Sequence, residues 1–260
     1  MVFLVNMKAI WSGSLSFGLV NIPIKMYAAV DRRPVTFHLL HEKDKSPIEY
    51  KRWCSKGDHE VPWNEVVKGV DIGDGTYYVF TKSELAKLKP KRSDVFEVVE
   101  FVDGGGVERI LTDQHYYIGP DKSGLKSFFL LREILRNTGK VAIGSFVMRE
   151  REYAAVVEPY GPTMLLTTLN FEDEVRSVED MEGLKDVPDL KKAELELAEQ
   201  LIKKMTVKRL DISMFHDTYS EKLKQALEKR DLEHLVAVTE EVKATPEENL
   251  IDALKASLEG

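Results

Sequence analysis

The chain has 260 residues, of which 43% are hydrophobic and 31% are charged, and its formal net charge is −7. These proportions are typical of a globular protein with a buried core, and they exclude a largely disordered chain. No apolar run approaches the roughly 18 residues that a membrane-spanning helix requires. The single cysteine, Cys54, excludes an internal disulfide. We therefore expect a cytoplasmic protein without a membrane partner.

The first two-thirds of the chain predicts mainly β-strands. From Trp11 to Leu19 the large apolar residues occupy odd positions, and from Val20 to Ala28 they occupy even positions, which is the period of half-buried strands. Pro23 lies inside the second run and predicts an edge strand or a bulge there. Further strands are predicted at residues 76–80, 95–102, 107–111, 115–118, 141–149, 152–157 and 163–170.

Turn and cap signals connect these strands. The glycines of Asp103–Gly106 predict a hairpin loop between two of them. One helix, from Gly124 to Asn137, interrupts the strands, and Gly139 is placed to cap its C-terminus. So many short strands with turn signals favour a barrel or a strongly curved sheet.

After Asn170 the apolar period becomes helical. One predicted helix carries Leu197, Leu201 and Met205, and a second carries residues that recur at every fourth position from Phe215. A capping box with proline at the first helical position, at residues 245–248, starts a last helix. We therefore predict an α+β protein, with a β-barrel part at residues 1–170 and a helical part at residues 171–260.

No enzyme motif is complete. Residues 119–127 resemble a phosphate-binding loop, but Leu125 separates Gly124 from Lys126, whereas that loop requires the glycine and lysine to be adjacent. His38, His41, Cys54 and His59 are too few and too scattered to match a structural zinc site. We predict no catalytic residue, no metal and no cofactor. The alternative is a metal-dependent nuclease or phosphotransferase that uses Asp121, Lys122 and Lys126.

The charge is unevenly distributed along the chain. Residues 1–57 contain nine Lys and Arg against four Asp and Glu, whereas residues 171–260 contain fourteen against twenty-three. The negative total therefore does not exclude nucleic acid, because basic loops could follow a phosphate backbone while the acidic end faces solvent. No helix presents a base-reading face, so we expect contacts to the backbone rather than to bases. A protein-only scaffold is a third possibility.

Several segments resemble prokaryotic Ku, and the longest is Ile10–Lys25, which reads IWSGSLSFGLVNIPIK. The other matches follow in order over almost the whole chain. They are Phe37–Glu42, Tyr50–Arg52, Glu60–Pro62, Val66–Gly69, Tyr116–Lys122, Leu131–Glu133, Gly139–Ile143, Phe146–Arg149, Asp173–Arg176 and Asp252–Leu258.

The resemblance implies a homodimer whose β-barrels and long strand loops form a DNA-encircling bridge. It implies sequence-independent binding of double-stranded DNA ends, protection or bridging of those ends, and recruitment of an ATP-dependent DNA ligase in non-homologous end joining. It also implies association with the nucleoid. Many relatives carry Cys-x-x-Cys near Cys54, but position 57 is glycine here, so no zinc site is carried over. The Lys-rich tail of some relatives is absent as well.

The candidate functional residues follow from charge and from apolar spacing. Those predicted to contact the DNA backbone are Lys25, Arg32, Arg33, Lys51, Arg52, Lys68, Lys89, Lys91 and Arg92. Those predicted to contact the ligase, or alternatively to pack on the protein's own core, are Leu250, Ile251, Leu254 and Leu258.

Overall fold

A computed structural model describes residues 7–31, 35–91, 93–182 and 192–229. The chain divides into two compact units. The first unit consists of residues 1–32 and 65–206, and the second consists of residues 33–64 and 207–260. The predicted division into residues 1–170 and 171–260 stays a prediction.

The first unit is built around a closed barrel of seven strands. The barrel order is β1-β2-β6-β9-β8-β7-β5, and a parallel pairing of β1 with β5 closes it. The barrel strands are β1 (Trp11–Phe17), β2 (Val20–Ala28), β5 (Val95–Asp103), β6 (Thr112–Pro120), β7 (Lys140–Met148), β8 (Arg151–Tyr160) and β9 (Thr163–Leu169).

Among the described residues, the remaining elements are a hairpin, four α-helices and several short 3-10 turns. Strands β3 (Lys68–Asp71) and β4 (Tyr77–Phe80) form a separate two-stranded sheet. Helices α1 (Lys82–Leu88), α2 (Leu125–Thr138) and α3 (Lys192–Met205) belong to the first unit, and α4 (Thr218–Lys229) belongs to the second. The predicted α+β class, a β-barrel core followed by helices, is confirmed.

The barrel core follows directly from the predicted alternation. On β2, Ile22, Ile24 and Met26 are buried, and on β1 Leu15 is fully buried. The apolar face of α2, led by Phe128, packs into the same core. Because an apolar period of two places every second side chain inside, the sequence pattern specifies which face β2 buries.

The predicted cap of α2 is confirmed. Gly139 has a φ of 65° at the helix C-terminus, a backbone conformation that glycine adopts without the steric penalty of a Cβ atom. The predicted helix and the observed one differ by a single residue at each end.

Two local predictions are wrong for one shared reason. The predicted strand at residues 107–111 is a 3-10 turn at Arg109–Leu111, and residues 103–106 do not form a hairpin loop. β5 pairs with β1 and β7, so it cannot also pair with β6, which lies between β2 and β9. The glycine-rich segment is therefore a crossover between strands that are not neighbours.

Pro23 is accommodated differently from the prediction. β2 is an inner strand of the barrel, and its pairing with β1 is continuous through Pro23, so the strand has neither a free edge nor a bulge there. The pairing of β2 with β6 begins only at Ile24. Proline is tolerated because it precedes that ladder, while its carbonyl oxygen accepts the N–H of Asp121 at 3.0 Å.

The second unit begins with two short turns, each closed by an isolated pair of residues. Leu40 pairs with Pro47, and Trp53 pairs with Glu60. Among the residues that the structure describes in either unit, no helix has the length and apolar character needed to cross a membrane.

Candidate nucleic-acid interface

Lys25 on barrel strand β2 is positioned by an ion pair with Asp121. It lies on β2, it is half-buried, and its Nζ atom is 3.1 Å from Oδ1 of Asp121. Asp121 caps the 3-10 turn before α2 by accepting the N–H of Lys122 at 2.8 Å. That hydrogen bond, followed by the one from Lys25, lowers the pKa of Asp121. Lys25 is therefore a partly neutralised cation.

Lys68 begins β3, opposite Phe80 on β4, and is exposed. Within the described part of the chain it forms no ion pair or side-chain hydrogen bond. An exposed lysine without a carboxylate partner presents its full charge to solvent. Lys68 is thus available to an external anion.

Lys89 and Lys91 follow α1, whose N-terminus is fixed by a capping box between Thr81 and Glu84. The Nζ atom of Lys89 lies 2.7 Å from Oε2 of Glu150. Lys91 is exposed and forms no ion pair with a described residue. The helix therefore positions one paired and one unpaired lysine in the same short segment.

Lys51 and Arg52 lie in the second unit, beside exposed aromatic rings. Lys51 is 3.7 Å from Oε2 of Glu60. Arg52 donates from Nε to the carbonyl oxygen of Val61 at 3.1 Å, and its guanidinium lies 5.3 Å from the centre of the Trp63 ring. Both contacts orient the guanidinium without neutralising it, so Arg52 keeps its charge in a defined position.

The residues considered for a metal make other contacts. His41 pairs with Asp44 at 2.8 Å, and the N–H of Gly57 donates to Sγ of Cys54 at 3.3 Å. Hydrogen bonds from Ser46, chiefly from its backbone N–H, lower the pKa of Asp44 to about 2. In the described parts of the chain, no three His, Cys, Asp or Glu side chains lie close enough together to hold a metal ion.

Some predicted site residues lie outside the described residues. They are Arg32, Arg33, Arg92, Leu250, Ile251, Leu254 and Leu258. Of the remaining cations, Lys51 and Arg52 belong to the second unit, whereas Lys25, Lys68, Lys89 and Lys91 belong to the first. Each assignment as a DNA contact stays a prediction.

Sequence reasoning missed the carboxylates that pair with Lys25, Lys51 and Lys89. These carboxylates belong to Asp121, Glu60 and Glu150, which lie at spacings from the lysines that no helical or strand pattern links. It also missed Arg149, which lies in the tight turn between β7 and β8. The signal that could have located this turn was the short gap between the strands predicted at residues 141–149 and 152–157, although the first of these strands was predicted to include Arg149.

Together these features define a class of protein. Its members have a closed seven-stranded barrel, with basic segments, a small hairpin and helices between or after the barrel strands along the chain. Comparison with known families agrees. The Ku family model, described as the Ku70/Ku80 beta-barrel domain, matches residues 16–197.

Individual relatives extend the match to nearly the whole chain. The chain is 39% identical over 253 residues to a protein of Archaeoglobus fulgidus, covering 97% of this chain and 99% of that relative. It is 35% identical over 259 residues to a protein of Bacillus subtilis, covering 98% and 83%. It is 34% identical over 226 residues to a protein of Mycobacterium tuberculosis, covering 85% and 82%. Each of the three relatives is named "Non-homologous end joining protein Ku". The chain belongs to the Ku family.

Proposed function

We propose that the protein binds the ends of double-stranded DNA as a homodimeric ring in non-homologous end joining. It protects or bridges the ends regardless of their sequence, associates with the nucleoid for that purpose, and recruits an ATP-dependent DNA ligase. The observation that carries this proposal is the match, over 97% of the chain, to a relative named for end joining. The chain itself acts as a clamp rather than as an enzyme.

The described cations support binding to a phosphate backbone. Lys68 and Lys91 are exposed and unpaired within the described part of the chain, while Arg52 is oriented by Trp63. Duplex DNA presents one negative charge per roughly 1.7 Å of its axis, so scattered cations can each meet a phosphate. Lysine and arginine on loops and strand ends contact phosphates rather than bases. Such contacts do not depend on sequence, which suits binding at ends of any sequence.

The surface ion pairs fit the same purpose. Lys51 and Lys89 are paired with Glu60 and Glu150, and all four side chains are about half exposed or more. An exposed pair of this kind contributes little to stability, so either lysine can exchange its carboxylate partner for a phosphate at low cost. Such exchange would make DNA affinity sensitive to these carboxylates.

Exposed apolar surfaces support the homodimer. On the β3–β4 hairpin, Tyr77 and Val79 remain 61% and 52% exposed. A two-stranded sheet is marginal by itself and needs a cover for its apolar side chains. Elsewhere, α2 and the β1–β2 turn border an apolar groove of about 670 Å³, along which Leu130 and Ile134 are exposed. Contiguous apolar surface of this kind marks a protein interface, and a second copy would cover it with two-fold symmetry.

Ligase recruitment is assigned to the last predicted helix. Its apolar stripe of Leu250, Ile251, Leu254 and Leu258 would lie on one face, the pattern by which an amphipathic helix enters a groove. Co-precipitation of the partner ligase by the full chain and by a Leu254→Glu variant tests this step. Equal recovery of ligase with both chains would contradict the assignment.

Protection from an exonuclease tests end binding. Linear duplexes with different terminal sequences are incubated with the protein and then digested. We expect protection that does not depend on the terminal sequence. Protection of one sequence only, or of none, would contradict the proposal.

The same incubation without exonuclease, but with a divalent metal, tests the enzymatic alternative. We expect intact DNA. Hydrolysis that is lost in an Asp121→Ala variant would overturn the assignment as a non-enzymatic clamp.

A further inference from the structure

A cavity of about 580 Å³ lies on the first unit, away from the apolar groove. The start of β1, the segment around Lys89 and the β7–β8 turn border it. Its lining combines apolar side chains with two cations and two carboxylates. Ligand sites typically have such a volume and such a mixture of apolar walls and a few polar groups.

The turn on one side of the cavity is unusual. Arg149 and Glu150 form the two-residue connection between β7 and β8, with φ values of 50° and 65°. Two-residue hairpin turns in which both residues have a positive φ strongly favour asparagine and glycine, because other residues are strained in that conformation. The chain nevertheless keeps two long charged side chains at these positions, and both line the cavity. Strain of this kind concentrates at functional sites.

A second residue of the cavity lining carries a buried donor. Trp11 is only 9% exposed and lines the cavity. Its indole N–H finds no acceptor among the residues that the structure describes. Buried donors without an acceptor are rare in folded proteins and call for a specific explanation. A ligand acceptor that reaches the indole N–H would satisfy this donor.

The charges on the cavity wall indicate the ligand. Lys89 already contacts Glu150 at 2.7 Å, whereas Arg149 makes no ion pair or hydrogen bond with a described residue. Arginine is suited to a phosphate group because its planar fork donates two parallel hydrogen bonds. The carboxylate oxygens of Glu150 are acceptors that suit the amino group of a base. A nucleotide presents both a phosphate and such donors.

We propose that this cavity binds a nucleoside monophosphate, either free or at the phosphorylated end of a DNA strand. The phosphate lies against Arg149 and Lys89, and the remainder of the nucleotide occupies the space beside Trp11. Only the strand-end form rests on the proposed function. Binding of a free nucleotide is independent of it, so the two proposals can fail separately.

Nuclear magnetic resonance of the full chain, labelled with 15N at its three tryptophans, tests this proposal. The Trp11 indole signal is identified by its absence in a Trp11→Phe variant. Titration with deoxyadenosine monophosphate is expected to shift the Trp11 signal saturably, whereas deoxyadenosine, which lacks the phosphate, is expected to shift it far less. A Trp11 signal that deoxyadenosine monophosphate does not move would overturn the proposal.

Duplexes with a 5′-phosphate or a 5′-hydroxyl distinguish the two sources. A Trp11 shift with the phosphorylated duplex alone identifies the strand end as a ligand, and a shift with the free nucleotide only identifies a nucleotide site separate from DNA binding.

Arg149→Gln is expected to weaken nucleotide binding by about tenfold or more, because a charge-assisted contact is lost. Arg151→Gln, the matched control two residues away and outside the cavity lining, should leave binding unchanged. Equal losses in the two variants would contradict the proposed role of Arg149.

Discussion

The ammonium group of Lys25 on β2 lies 3.1 Å from Oδ1 of Asp121, which directly follows β6. This ion pair joins a barrel strand to the turn that starts α2. The N–H of Lys122 donates to the same oxygen, and together the two donors hold the pKa of Asp121 below its ordinary value. The geometry has consequences for stability at acidic pH.

Asp121→Asn should destabilise the protein at neutral pH but not at acidic pH. A carboxyl whose pKa is lower in the folded state contributes stability above its unfolded pKa of about 3.9. That contribution disappears as the pH falls through the folded pKa. Thermal unfolding from pH 7 to pH 3 should therefore show a deficit of a few degrees in the variant, which shrinks below about pH 4.

Asp180→Asn is the control for this experiment, because Asp180 makes no side-chain hydrogen bond or ion pair with a described residue. It should match the wild type throughout the pH range. A deficit for Asp121→Asn that is constant from pH 7 to pH 3 would show that its charge is not the cause.

Lys68→Gln and Lys91→Gln should each weaken binding to linear duplex and make it less sensitive to salt. Each lost phosphate contact lowers the slope of log affinity against log salt by about one, because one fewer counterion is released. Lys222→Gln on α4 removes the same charge from a surface to which no DNA contact is assigned. Binding titrations at several salt concentrations measure the slopes, and identical slopes in all three variants would contradict the assignments.

Glu60→Gln should strengthen DNA binding. Glu60 lies 3.7 Å from Lys51, and its removal frees that lysine for a phosphate. Because exposed ion pairs are weak, the gain should be modest, about twofold to fivefold. Glu49→Gln is a matched control that loses the same charge near Lys51 without breaking an ion pair. A gain of the same size in both variants would indicate a general effect of net charge instead.

Leu130→Glu should disrupt the proposed homodimer. Leu130 is 59% exposed on α2 and lines the apolar groove, so a charge there would be buried in the interface at high cost. Light scattering should give the mass of two chains for the wild type and of one chain for the variant. Leu125→Glu, on the same helix but outside the groove lining, should remain dimeric. A dimeric Leu130→Glu variant would place the interface elsewhere.

Local patterns predicted much of the fold. The barrel strands were predictable because alternation is a property of each strand alone, as β2 illustrates with Ile22, Ile24 and Met26. Which strands become neighbours depends on closure of the whole barrel, which no local pattern records. For that reason the glycines at 104–106 predicted a hairpin loop, whereas the chain crosses there to a distant strand.

The candidate interface was less predictable than the fold. Sequence identifies a lysine as a cation, but its effective charge depends on carboxylates brought near by folding, such as Glu150 beside Lys89. The strain at Arg149 is likewise visible only in backbone angles. Family membership could be inferred from the segment Ile10–Lys25, although that segment forms barrel strands and contributes one candidate contact, Lys25.

Binding to linear duplex and to a covalently closed circle of the same sequence tests the central claim most directly. A ring that loads at ends should bind the linear form tightly, with an affinity that falls steeply as salt is added, and should bind the circle only weakly. Equal affinity for the two forms would contradict loading at DNA ends.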